Sequence, residues 1–159
     1  MRITIACVGR LKEKYLTAGV EEYAKRLQPF CKFEIVSVNE EKMPQNPSDA
    51  EKEQVLEKET ERLLRVIPDN SYVILLDLQG RQLTSPELAG VLDNLALHGV
   101  SHITFVIGGA FGYTGTLRER ADFRWSFSQL TFTHQMIRLM LAEQIYRAFK
   151  ISRGEKYHW

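Results

Sequence analysis

At 159 residues, with 44% hydrophobic and 26% charged side chains, the chain has the size and balance of one soluble globular domain that needs neither disulfide nor metal to hold a core. A formal net charge of +1 argues against a strongly electrostatic nucleic-acid binder, although the charge is unevenly spread: nine acidic and five basic residues fall in 39–69, against five basic and two acidic in 134–159. The opening MRITIACVGR lacks a charged leader before an apolar stretch, and no apolar run approaches a membrane span, so a cytoplasmic protein is expected.

Ile3 to Val8 is a β-rich run ended by Gly9. Lys12 to Leu27 then sets Tyr15, Leu16, Val20, Tyr23, Ala24 and Leu27 at helical spacing, and Pro29 stops that helix. Phe33 to Val38 alternates as a strand, and Met43 to Pro47 reads as a loop. Ser48-Asp-Ala-Glu51 is a capping box whose hydroxyl and carboxylate satisfy free backbone N–H groups, and the helix it opens ends before Pro68. Tyr72 to Leu78 is nearly all apolar, as a strand covered on both faces should be. Ser85-Pro86-Glu87 starts another helix, with serine predicted at the cap. Ile103 to Ile107 is a buried strand running into Gly108-Gly109, and Thr116 to Glu119 offers a capping box to a short helix. Arg124 to Ser128 is the last strand, and Thr133 to Lys150 a long final helix. Cys7 and Cys31 lie in apolar runs and are expected as buried free thiols. Strands alternating with helices predict an α/β fold with a mainly parallel sheet, in a single domain over 1–159.

Ligands of such sheets sit beyond the carboxyl ends of the strands, which selects three segments: Leu76 to Gly80, Ile107 to Gly109, and Phe127 to Phe132. Gly108-Gly109-Ala110-Phe111-Gly112 is neither a dinucleotide fingerprint, since position 110 is alanine, nor a P-loop, since no Gly-Lys-Ser/Thr follows. By itself it is equally a tight turn. Trp125 to Phe132 is either a core strand with a helix start or a loop whose backbone grips an adenine while Leu130 and Phe132 pack on it. The final helix is apolar on more than one stripe, through Met136, Ile137, Leu139, Met140, Leu141, Ile145, Ala148 and Phe149, as for a helix buried in the domain or shared with a second subunit. Arg153, Lys156, Tyr157, His158 and Trp159 crowd the tail; they are either a frayed end or a set able to bind phosphate, stack on a base and move a proton. His98 and His102 flank a glycine and a valine rather than a helical turn, and no CxxC or HExxH occurs, so no metal site is expected.

The order VIGGAFG (106–112), FSQLTFTHQMIRLMLAEQIYRAFKI (127–151) and RGEKYHW (153–159), with ITIACVGRLKEKY and LLDLQGRQLTS before it, resembles the SPOUT methyltransferases, specifically the minimal members that modify a pseudouridine of 23S ribosomal RNA. The likeness spans the chain. It implies a homodimer, a C-terminal trefoil knot, and S-adenosylmethionine held by Leu76, Gly108, Phe127, Ser128, Gln129, Leu130, Thr131 and Phe132. The family tail ends in a basic residue where this chain has Trp159, which puts an RNA contact at that position in question.

The implied reaction methylates N3 of the pseudouridine on assembled ribosomes. Arg153, Tyr157 and His158 are the expected catalytic residues: His158 or Tyr157 to take the N3 proton, Arg153 to steady the charge left on the base. Two other readings stay open, a SPOUT enzyme acting on another RNA such as tRNA and a non-enzymatic nucleotide-binding module.

Overall fold

Hydrophobic runs of period two and period 3.6 alternate along the chain, and each becomes an element of the computed structural model, which describes residues 1–158; Trp159, where an RNA contact was in question, lies outside them. In chain order these are β1 (Arg2–Val8), α1 (Lys14–Leu27), β2 (Lys32–Val38), α2 (Asp49–Val66), β3 (Tyr72–Gln82), α3 (Ser85–Leu97), β4 (His102–Ile107), α4 (Gly115–Arg120), β5 (Phe123–Ser126) and α5 (Met136–Ser152). The strands form one sheet in the order β2-β1-β4-β3-β5 with every pairing parallel, so the expected α/β class is observed.

The pleat divides the core. Ile3, Ile5 and Cys7 of β1 and Ile103, Phe105 and Ile107 of β4 face α1, α3 and α5 through Leu27, Leu88, Leu92, Leu141 and Ile145. Ala6 and Val8 of β1, Val73 and Leu75 of β3 and Val106 of β4 face the other way, onto Leu63 of α2 and Leu117 of α4. Each fully buried leucine or isoleucine among them contributes about 1.5–3 kcal/mol. Burial raises the thiols of both Cys7 and Cys31 above their ordinary value.

Several boundaries differ from the sequence reading, each for a local reason. The box opening α3 is Thr84 with Glu87, not Ser85: Thr84 Oγ1 accepts from the Glu87 N–H at 3.2 Å while the Glu87 carboxylate accepts from the Thr84 N–H at 2.7 Å. A capping box spans three residues, and counting back from Glu87 gives Thr84. Thr116 lies inside α4, and its hydroxyl pairs with that of Thr114 at 2.9 Å, so the expected box with Glu119 does not form. Tyr15 is 63% exposed and leaves Leu16, Val20 and Leu27 as the buried stripe of α1.

The most consequential difference is in β3. It continues past Leu78 to Gln82, and its pairing with β5 slips between Leu76 and Arg81, so that both Leu76 and Arg81 face Trp125. The extra residues bulge outward at the sheet edge. Gly80 makes this possible, because a Cβ there would stand 2.6 Å from the backbone carbonyl carbon of Arg124. Gly80→Ala is therefore expected to force β3 and β5 apart and lower stability by about 1–3 kcal/mol, the range for overpacked sites. Urea unfolding measures it; an unchanged midpoint would show that the close approach carries no weight.

Candidate functional site

Because all strands run the same way, their carboxyl ends share one edge of the sheet. The exits of β3, β4 and β5 and the start of α5 enclose a cleft of about 400 Å³, within the range of small-molecule sites. Six of the eight residues assigned to the donor line it: Leu76, Gly108, Phe127, Ser128, Leu130 and Phe132. Gln129 and Thr131 are exposed and do not line it. Ser128 shapes this loop, accepting from the Leu130 N–H through its hydroxyl at 3.1 Å and from the Ser126 hydroxyl through its carbonyl at 3.0 Å.

One wall is apolar. Trp125 lies against Phe127 with ring centroids 4.5 Å apart, and its indole Nε1 is buried without a hydrogen-bond partner among the described residues. The opposite wall is the turn after β4. Gly108 is pressed so closely by Tyr113 that a Cβ would meet the ring at 2.6 Å. Tyr113 donates to the Leu76 carbonyl at 3.4 Å, and burial with the nearby Asp77 pushes its phenol up to about 12.

Asp77 forms the floor. Its side chain is only 3% exposed and accepts from the Gln79 N–H at 2.9 Å, from Arg118 of α4 at 3.3 Å and from Arg124 of β5 at 3.3 Å. Burial works to raise this carboxyl, but the Gln79 N–H and the Arg118 guanidinium outweigh it and hold it below the ordinary carboxylate value. At the far side, His134 lines the cleft just before α5, and burial followed by the positive charge of Arg138 lowers its imidazole. Arg138 itself is 1% exposed, donates to the Val8 carbonyl at 2.5 Å and the Gly9 carbonyl at 2.8 Å, and leaves Nε without a partner.

The tail is elsewhere. Tyr157 donates to Glu143 Oε1 at 3.1 Å, approaches the Tyr23 hydroxyl at 3.4 Å, and sits edge-on to Tyr146 with Arg147 over its face. Burial, then Tyr23 and Glu143, raise its phenol well beyond the ordinary tyrosine range. His158 Nδ1 lies 3.3 Å from Arg147, and the Arg153 guanidinium rests over Phe30, 4.3 Å from the ring centre. These three therefore gather along α1 and α5 and do not meet the cleft within one chain. A second hollow of about 510 Å³ lies between, lined by Gly19, Tyr23, Leu139, Met140 and Glu143, and it shares Trp125, Phe127 and Phe132 with the cleft.

Sequence reasoning placed Asp77 and Trp125 within the selected segments without giving either a role, and it missed Tyr113, Arg118 and His134 as site residues. Asp77 alone carried a signal, a charge inside an otherwise apolar strand run. Among the described residues no three or more His, Cys, Asp or Glu side chains group as a metal site, and no helix is long and apolar enough to cross a membrane.

The family model described as predicted SPOUT methyltransferase matches residues 1–158. Over 158 residues, covering 99% of both chains, the sequence is 52% identical to ribosomal RNA large subunit methyltransferase H of Halothermothrix orenii. It is 50% identical over the same span to the proteins of that name from Desulfitobacterium hafniense and Carboxydothermus hydrogenoformans. Among solved structures, the tRNA (m1G37) methyltransferase from Aquifex aeolicus is similar at a TM-score of 0.51 over 92% of this chain and 69% of that one; at 11% identity the likeness is one of fold.

The Asp77 hub generates a prediction with a definite sign. A carboxyl held below its unfolded value of 3.8 contributes stability that is full above that value and is lost as pH falls through the lower folded value. Asp77→Asn should therefore cost roughly 1–2 kcal/mol at neutral pH, less than a fully buried pair because both arginines stay half-solvated. Urea titrations at about pH 7 and about pH 3 compare it with wild type, and a gap that fails to narrow at the lower pH counts against the assignment.

Proposed function

The chain belongs to the SPOUT methyltransferase family and is a ribosomal RNA methyltransferase, and from that premise we propose that it methylates N3 of a pseudouridine in 23S RNA using S-adenosylmethionine. The observation that carries the reading is identity of 50% or more along the whole length to relatives named for the large-subunit RNA, with the strand-exit cleft at the place where the resemblance sets the donor.

The residues present suit such a donor. Trp125, Leu130 and Phe132 offer an apolar wall to a flat base, and Leu76 and Gly108 line the cleft beside it. Gln129 and Thr131, whose side chains face solvent, are left with a backbone role in this loop. When bound, the donor supplies a methyl already activated on a sulfonium, so the protein's part is to align groups and manage one proton. Asp77 is saturated by three donors, and its task here is to fix the floor rather than to accept a proton.

The N3 proton must leave for the base to act as a nucleophile. Between the two candidates, Tyr157 is held as a neutral phenol whose hydroxyl donates to Glu143, which leaves the imidazole of His158 as the acceptor and Tyr157 as its neighbour in the tail. Arg153 supplies positive charge for the anion that forms. Since tail and cleft are apart in one chain, the reading includes a homodimer in which α1 and α5 face a second copy, burying the hollow that touches Phe127 and Phe132, so that the tail of one copy serves the cleft of its partner. The trefoil knot belongs to the same reading; β5 reaches its place beyond β3 only after β4 has been laid on the other side. The modest net charge favours recognition by the shape of an assembled ribosome, inside a cytoplasm without a membrane to cross.

The test offers labelled S-adenosylmethionine with unmodified ribosomes, free large subunits and bulk tRNA. Label is expected in 23S RNA of assembled ribosomes; label in tRNA transfers the activity to another substrate, and none in any RNA overturns the reading. In single-turnover assays His158→Ala should slow transfer by about 10²–10⁴-fold, the usual worth of a general base, while donor affinity is kept. A full-rate His158→Ala would remove the imidazole from the mechanism.

A further inference from the structure

The turn after β4 ends the polar side of the cleft with an aromatic ring that nothing covers. Phe111 lines the cleft yet is 64% exposed, and Leu78 and Leu130, at 61% and 68%, stand at the same mouth. Large apolar side chains grouped around one opening mark a contact surface rather than chance exposure. Phe111 is the only aromatic among these three, and it is the one that the fold holds outward. Behind it, Glu59 of α2, 4% exposed, packs its carboxyl against Gly109, where a Cβ would lie 2.6 Å from Oε1. The Thr114 N–H donates to Thr60 Oγ1 at 3.0 Å, the Gly112 N–H closes the turn on the Gly109 carbonyl at 3.1 Å, and Tyr113 fills the space beneath Gly108. With that space taken by Glu59 and Tyr113, the ring has no interior to turn into. A ring set on a pinned turn loses little freedom when something stacks on it.

The charges beside it indicate the occupant. Arg118 and Arg124 both bond to Asp77, whose single buried carboxylate neutralises only one of them, and their side chains are 43% and 44% exposed. Arg118 lines the cleft together with Phe111, and a flat apolar face in one cleft with a half-exposed guanidinium suits an unpaired nucleotide, its base on the ring and its phosphate at the arginine. Resting on the RNA-methyltransferase reading above, we propose that Phe111 stacks on an unpaired base of the substrate RNA at the mouth of the donor cleft, as a substrate contact separate from the donor wall of Leu130 and Phe132.

Phe111→Ala and Phe111→Trp test this, with thermal midpoint, donor affinity by calorimetry, and KM and kcat for methyl transfer to unmodified ribosomes. The alanine variant should keep the midpoint and the donor affinity and raise KM for ribosomes roughly tenfold, within the range of one lost base stack; tryptophan should restore it. Unchanged KM and kcat in Phe111→Ala overturn the proposal. Weakened donor affinity would show that the ring covers the donor instead, and a shift in oligomeric state that it packs on a second copy; either result also overturns it. Wild-type protein that labels no ribosomal RNA overturns the underlying reading, and with it this proposal.

Discussion

Asp77 leaves the sheet at the point where β3 has finished pairing with β4 but still has β5 on its other edge. Its carboxylate accepts from its own strand at Gln79, from α4 at Arg118 and from β5 at Arg124, so one nearly dry charge ties three walls of the cleft to each other. Removing it would leave two guanidinium groups facing each other across the gap and a β3 exit with nothing to define its direction. The bulge at Gly80 works with it: the slipped register brings Arg81 opposite the same Trp125 that Leu76 already faces. The apolar wall and the polar floor are thus two sides of one irregular strand pair.

Arg138 makes a comparable join on the other side. Its guanidinium is enclosed with no carboxylate in ion-pair range among the described residues, and it is met by the carbonyls of Val8 and Gly9 at the end of β1. A buried cation satisfied only by dipoles is costly, and the cost is evidenced by the downward shift that burial imposes on it. It fixes the first turn of α5 against the carboxyl end of β1, and with it His134 at the rim of the cleft. Burial, and after it the proximity of this cation, keeps the His134 imidazole neutral to lower pH.

The distance between cleft and tail is the feature that most constrains function. Tyr157 of the tail joins Tyr23 of α1 and Glu143 and Tyr146 of α5 in a compact aromatic and acidic cluster, while the start of α5 lines the cleft through Ile137. Phe127 and Phe132 belong to both the cleft and the hollow beside that cluster, so anything seated in the hollow also touches the 127–132 loop. In the proposed reading a symmetric pair of chains answers both facts with one contact, because an isologous interface repeats any tail-to-cleft contact in both copies.

Much of this was written in local patterns. The alternating strands, the Ser48-Glu51 box and the near-continuous apolar run of β3 follow from side-chain periodicity and capping, which need only neighbours within a few residues. The carboxyl-end rule selects the segments Leu76 to Gly80, Ile107 to Gly109 and Phe127 to Phe132, and residues of all three line the cleft. What the sequence could not settle were features whose partners lie far along the chain. Asp77 reads as a lone charge until α4 and β5 bring Arg118 and Arg124 to it; His134 reads as a polar residue before a helix until β3 and β4 end beside it. Sequence alone determined which segments are strands and helices and which family pattern they compose, because those depend on periodicity and residue order. Only the tertiary structure decided which side chains share a cleft, which charges are buried together and that the tail stands apart from the 127–132 loop, because those depend on sheet order and on a register slip at Gly80 that no local pattern encodes.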